Sequence, residues 1–430
     1  MLSLKSMDHM LNLLQRTYLS VFRRYPALGR LALMVVLGEV VQSSVNNLSL
    51  PFYIHNDLHR TWRTIGVLIS TFLVAEMIFK LPFGSLSDHH GRRKYVMLGF
   101  AMSVATALAI CIVPMDTFVA APALVFLVLL PMRAIDGAGA ASLWPPLFAA
   151  VPDNVPTEQR GVAMSVMNTG YMAGIAIGPA LASGAMKLWA MQSYRPDWES
   201  RAPFAMVIVV AAIALICARK LRDTDAYEGH VRDGTPGEWP RGRVVAIIII
   251  ITLGNTFATA TVAPYLALFV NKAIGIPPQS IGFLLLALFL PAGVLGIPLG
   301  HLSDRWPKRR VVQLALCITS AALWAVARSV SVIGLVVSGV FVALGFMLGL
   351  PAWLALISEL APEGRAGRVM GLMATAQGAG AFLGPLAGGY VGDINIRYPF
   401  FVAAGVLTLS ALVALTLLGK AERVTPAITV

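Results

Sequence analysis

Apolar runs recur along the whole chain, and a helix of roughly 20 predominantly apolar residues is what crosses a bilayer core of about 30 Å. Set against turn and charge punctuation, the runs fall at 27–50, 63–84, 94–114, 120–149, 161–187 and 203–221. They resume at 243–270, 278–301, 309–328, 331–358, 366–391 and 399–419. The expected fold is an all-α membrane protein of twelve transmembrane helices in two pseudo-symmetric six-helix bundles. The long polar stretch at 222–242 divides the runs six and six, which gives an N-terminal segment (1–26), a first bundle (27–221), a linker, a second bundle (243–420) and a tail (421–430).

Composition agrees with a lipid solvent: 57% of residues are hydrophobic and 13% charged, against about 45–50% and about 25% in soluble domains. A net charge of +12 could mark a nucleic-acid binder, but most Lys and Arg lie in short connections on one side of the spans. Arg23, Arg24, Arg30, Arg92, Arg93, Lys94, Arg305, Lys308, Arg309 and Arg310 are among them. The positive-inside rule therefore puts both termini in the cytoplasm, and no nucleic-acid partner is needed. Cys111, Cys217 and Cys317 fall within apolar runs, where cysteine acts as a small buried hydrophobe; neither a disulfide, a metal nor a cofactor is expected. Residues 1–26 lack the apolar core of a signal peptide, leaving an interfacial amphipathic helix or disorder as readings.

The halves repeat internal signals, the mark of a tandem duplication. Gly84-Ser-Leu-Ser-Asp88-His-His-Gly91-Arg92-Arg93-Lys94 returns as Gly300-His-Leu-Ser-Asp304-Arg-Trp-Pro307-Lys308-Arg309-Arg310. Gly178-Pro179 returns as Gly384-Pro385 in the matching span. The first pattern resembles the loop signature between the second and third helices of the major facilitator superfamily, with Pro307 in place of the second glycine in the later copy. Pro131-Met-Arg133-Ala-Ile-Asp136-Gly137 resembles that family's fourth-helix signature, with Asp136 where a glutamine is usual. Gly170-Tyr-Met-Ala-Gly174-Ile-Ala-Ile-Gly178-Pro179 resembles the glycine-rich stretch associated with antiporters. The resemblance covers residues 27–420 and is strongest to the twelve-helix drug/proton antiporters.

The resemblance implies that Gly84, Asp88, Gly91, Arg92, Arg93, Asp304 and Arg309 form gates holding the cytoplasmic side closed; a solvated positive-inside loop explains the cations but not the Gly84–Asp88 spacing. Gly170, Gly174, Gly178, Pro179, Gly384 and Pro385 read first as packing seams, since glycines four apart let a neighbouring helix approach. Charges inside the spans are costly unless paired or facing a cavity, and are functional by default. Glu39 lies about a dozen residues, or roughly 18 Å, into the first run, and Arg133 is similarly deep in the fourth. The family's arrangement has these two helices face one cavity, so Glu39 is the expected proton carrier and Arg133 its partner, direct or through water. A static pair that fixes packing is the plainer reading. Asp136 is placed to compete for Arg133. Glu76 and Lys80 stand four apart, in the favourable order for a helical ion pair, and Glu76 is read either as half of a structural pair or as a further proton-coupling carboxylate. Gln42 and Asn46 on the first helix, with Asn255, Phe257 and Tyr265 on the seventh, are the candidate substrate contacts.

The function expected from all this is proton-coupled export of lipophilic or amphipathic small molecules across a bacterial inner membrane, by a monomer. Partners are then the small-molecule substrate, protons and the bilayer. A lipid or lysolipid flippase of the same fold is the alternative transport reading, and a non-transporting membrane sensor the alternative from another class. No nucleophile elbow, phosphate loop or metal cluster is present to make an enzyme.

Overall fold

A computed structural model describes residues 24–113, 118, 122–156, 159–192, 198–221, 242–289, 306–360 and 366–422. Twelve helices are found among these residues, with no strand. The first half holds α1 (Pro26–Asp57), α2 (Trp62–His90), α3 (Arg92–Ile112), α4 (Pro122–Asn154), α5 (Arg160–Gln192) and α6 (Ala202–Ala218). The second holds α7 (Val245–Ile274), α8 (Pro278–Phe289), α9 (Lys308–Arg328), α10 (Val332–Leu360), α11 (Ala366–Gly392) and α12 (Tyr398–Glu422). Each apolar run thus folds as a helix over its described residues, because lipid offers the backbone no hydrogen-bond partner and a helix satisfies its own.

Several helices continue past the points where their apolar runs end, and two of them, α1 and α7, change pitch beside a proline. Pro51 has no N–H to donate, and its ring crowds the carbonyl four residues back. The chain passes it through wide π turns at Val45–Ser49 and Tyr53–Asp57, and α1 reaches Asp57 rather than stopping near residue 50. Pro264 has the same effect on α7, which tightens to a 3₁₀ turn at Ala263–Tyr265 and widens to a π turn at Val270–Ile274.

Glycines then decide which helices touch. A Cβ on Gly174 would lie 2.5 Å from that of Glu39, and one on Gly178 2.1 Å from the Ser43 hydroxyl, so α5 lies against α1 only because both are bare. Into that closeness Ser43 donates to the Gly174 carbonyl at 3.0 Å and Ser44 to that of Gly178 at 2.8 Å. The second half repeats the device. On α11 a Cβ at Gly380, Gly384 or Gly388 would come within 2.7 Å of Leu253 O, Phe257 O or the Tyr265 ring on α7. Away from the seams the helices turn large side chains outward: Val209, Ile213 and Ile216 of α6 are exposed, while Val207, Ala211 and Ala214 are buried. Without a hydrophobic drive between helices in lipid, small residues inside and bulky ones outside is the arrangement that maximises packing.

Candidate functional site

Between the halves lies a cavity of about 1420 Å³. Glu39, Gln42 and Asn46 reach it from α1, Glu76 and Lys80 from α2, Trp144 and Phe148 from α4, and Tyr171 from α5. The second half contributes a smaller and less polar wall, chiefly Ala260 and Pro264 of α7 with Thr375, Ala381 and Pro385 of α11. The rim at one end is formed by Gly84, Ser85 and Asp88, so the cavity opens toward the α2–α3 loop, called here the loop end.

The charges in and beside the cavity sort into a closed set and an open one. Arg133 and Asp136, one helical turn apart on α4, are 3% and 4% exposed and joined at 2.5 Å. The other edge of the guanidinium donates to the Asn46 side chain, and its face lies 4.6 Å from the Phe72 ring centroid. Ser103 donates to Asp136 at 3.4 Å. This pair therefore balances itself. Glu39 is not the partner of Arg133, contrary to the pairing expected from their matching depths. Depth along two helices fixes height in the membrane but not which way each side chain turns, and Asp136 is closer to the arginine by construction.

Glu39 instead faces Tyr171 and the carboxylate of Glu76. It is 7% exposed and has no ion-pair partner among the described residues. Glu76 does have one: Lys80 stands 2.9 Å away, its side chain half exposed in the cavity. Tyr171 packs edge-on to Trp144, ring centroids 5.4 Å apart, so an aromatic pair borders the two acids.

At the end opposite the loop end the halves are sealed. Tyr265 of α7 donates to the carbonyl of Pro385 at 2.7 Å and to that of Trp62 at 3.3 Å, and its ring stacks on Trp62 with centroids 5.1 Å apart. Asp393, at the end of α11, accepts the backbone N–H of Trp62 at 2.7 Å and pairs with Arg63 at 3.0 Å. Ser70 donates to the Phe382 carbonyl across the same α2–α11 contact. The symmetric contact joins α5 to α8: Ser183 donates to the Pro278 carbonyl at 2.7 Å and accepts Gly282 N–H at 2.9 Å. A Cβ on Gly282 would fall 1.9 Å from the carbonyl oxygen of Pro179.

The α2–α3 loop turns at Gly91, whose φ of +90° is a conformation that glycine adopts without strain. Arg92, 8% exposed, pairs with Asp153 of α4 at 2.9 Å and with Asp88 at 3.3 Å. Arg93 lies beside it, and a Cβ on Gly84 would make only ordinary contact with Pro145. Both ion pairs of Arg92 stay within the first half. Arg309 is in the first turn of α9 and partly buried, while Asp304 lies outside the described residues.

Gln42 and Asn46 line the cavity, but the three substrate contacts expected on α7 do not. Tyr265 is fully buried in the seal. Asn255 turns into the second half toward α9 and α10, beside Trp353, and the Phe257 carbonyl is covered by Gly384. The glycine seam of α11 claims the inner face of α7 there, which leaves the polar residues pointing away. Reasoning from sequence also passed over Tyr171, Trp144 and Asp393. Tyr171 stands inside the glycine-rich stretch that was read only for its glycines, and Asp393 follows Gly392 at the end of an apolar run.

The sequence model described as Major Facilitator Superfamily matches residues 32–244 and again 248–429. Multidrug resistance protein 2 of Bacillus subtilis is 26% identical over 381 residues, covering 85% of this chain and 88% of that one. Quinolone resistance protein NorA of Staphylococcus aureus is 24% identical over 385 residues, covering 85% and 90%. Among solved structures, a bacterial homologue of the human lysosomal transporter Spinster, inward-facing and occupied, superposes with a TM-score of 0.70 at 15% identity, over 94% of this chain and 98% of that one.

Proposed function

The chain belongs to the major facilitator superfamily, a transporter of small molecules, and on that premise we propose that it exports lipophilic or amphipathic molecules, cations above all, in exchange for protons. The observation that carries this reading is Glu39: a buried carboxyl group on the wall of a large cavity, with no ion-pair partner among the described residues and with a tyrosine and a second acid for neighbours. An isolated anion in such a place is expensive. Either a proton or a cationic substrate neutralises it, and the two compete. Competition for one group, with the cavity opening alternately to each side, is sufficient to couple their movements in opposite directions.

The roles follow from position. Trp144, Phe148, Tyr171 and Phe72 give an amphipathic cation aromatic faces, and the alanines and prolines of the second half give it a non-specific apolar wall. Lys80 holds the charge of Glu76, which leaves Glu39 as the proton carrier. Arg133 and Asp136 stand behind the wall, where Arg133 holds the side chain of the cavity-lining Asn46. The concentration of Lys and Arg at the loop end puts that end, and both termini, in the cytoplasm, so the cavity is open inward. In that state the cytoplasmic gate is apart: Asp88, Arg92 and Arg93 would meet the second half only when the cavity turns outward. The resistance named in the curated relatives from Bacillus and Staphylococcus is in keeping with export of this kind.

The test uses purified protein in proteoliposomes with an imposed pH gradient. A lipophilic fluorescent cation and lumenal pH are followed together, in wild type and in Glu39→Gln. Linked dye and proton movement, lost in Glu39→Gln, is the expected result. Dye movement indifferent to the gradient would sink the coupling, and gradient-driven movement that survives Glu39→Gln would remove Glu39 from it.

A further inference from the structure

A second pocket, of about 270 Å³, lies at the loop end between the start of α1, the start of α3, the end of α4 and Leu221. Arg24, Arg30, Arg92 and Arg93 line it, and no carboxylate does among the described residues. Two helices begin here, α1 at Pro26 and α3 at Arg92, and unpaired N–H groups at a helix start favour an anion. Arg92 supplies the independent indication. It is 8% exposed and its Nε and Nη2 are fixed by Asp153 and Asp88, yet its Nη1 is buried without a hydrogen-bond partner. Arg30 is also held in place, donating to the Lys220 carbonyl at 2.8 Å.

We propose that this pocket binds a phosphate group, carried in the membrane by an anionic phospholipid. Arginine matches the geometry of phosphate oxygens with paired N–H groups, and two of the four guanidinium groups here are already oriented by neighbours. The floor is apolar, with Leu31, Val96 and Leu147, which suits the glycerol and first methylenes of a lipid better than a hydrated free ion. The first turns of α1 and α3 stand where a membrane span begins, at headgroup height. The pocket is separate from the central cavity and shares no lining residue with it. Through Arg92 it touches the ion pairs of Asp88 and Asp153, so its occupant is in contact with the α2–α3 loop.

The experiment places the full-length protein in phosphatidylcholine nanodiscs and titrates in phosphatidylglycerol, counting bound lipid by native mass spectrometry. A parallel titration with inorganic phosphate asks whether the free ion displaces it. Wild type is expected to retain phosphatidylglycerol over phosphatidylcholine. The double variant Arg24→Gln, Arg30→Gln, which leaves the gate residues alone, should bind about 30-fold more weakly, the effect of two arginines near an anionic surface. Arg24→Lys, Arg30→Lys should keep most of the binding, which separates charge from damage to the fold. Displacement by inorganic phosphate at the same strength supports a phosphate site while assigning it to the free ion. Wild type showing no preference for phosphatidylglycerol overturns the proposal. So does equal binding by the glutamine variant.

Discussion

Replacing Asp393 by alanine should unlock the sealed end. Asp393 belongs to α11, but its carboxylate accepts the first N–H of α2 at Trp62, where Thr61 makes no side-chain capping bond of its own. It therefore caps α2 from the other half of the protein, and only while the halves are closed. A hydrogen bond to a charged group contributes about 1.5–3 kcal/mol, and a carboxylate at a helix start adds about 0.3–1 kcal/mol. The ion pair to Arg63 adds little, since the arginine side chain is 55% exposed and exposed pairs are worth roughly 0–1 kcal/mol. Asp393→Ala should accordingly move the balance between inward-open and outward-open forms by about 2–3 kcal/mol, on the order of 30–150-fold. Arg63→Ala should move it less than about fivefold. Spin labels on Ile112 and Val330, both exposed at the sealed end on opposite halves, report the opening as a longer distance in electron–electron resonance. If Asp393→Ala leaves that distribution unchanged, or Arg63→Ala shifts it as far, the capping argument is wrong.

Other consequences can be checked on the same protein. Arg133→Ala leaves Asp136 buried without its cation and should cost about 3–5 kcal/mol of stability; Arg133→Met with Asp136→Leu should recover most of it, read as the thermal midpoint in detergent. Gly282→Ala puts a Cβ 1.9 Å from the Pro179 carbonyl oxygen, so α5 and α8 cannot close and the Ile112–Val330 distance should lengthen even with Asp393 intact. Gly174→Ala crowds Glu39 and the Val36 carbonyl within α1's own half. It should lower the thermal midpoint, by the roughly 1–3 kcal/mol of an overpacked contact, without opening the sealed end.

The fold was legible because lipid allows so few solutions. A long apolar run must become a helix there, and over the described residues each of the twelve does. The ends were less so: the first run stops near residue 50, while the backbone of α1 goes on through its π turns to Asp57. Height in the membrane was also legible, which is why Glu39, Gln42 and Asn46 line the cavity. Rotation about each helix axis was not. It is set by the glycine seams, and these turn Asn255 inward to its own half, hold Tyr265 in the seal, and give Arg133 to Asp136 rather than to Glu39. Recognising a seam as the thing that orients its neighbours would have put Tyr171, on the same stretch as Gly170 and Gly174, beside Glu39.

In the far-end seal, most of the contacts between halves use main-chain atoms on at least one side: the carbonyls of Trp62, Pro385, Phe382 and Pro278, and the N–H groups of Trp62 and Gly282. A closure made against main chain is indifferent to which side chain the facing residue carries. Substitutions that reshape the cavity wall at Trp144 or Phe148 therefore leave the closing surface as it was. Such a molecule can drift toward new cargo by ordinary point mutation and still open and shut, its tolerance ending at the glycines and at the side chains that make the seal, Ser70, Ser183, Tyr265 and Asp393.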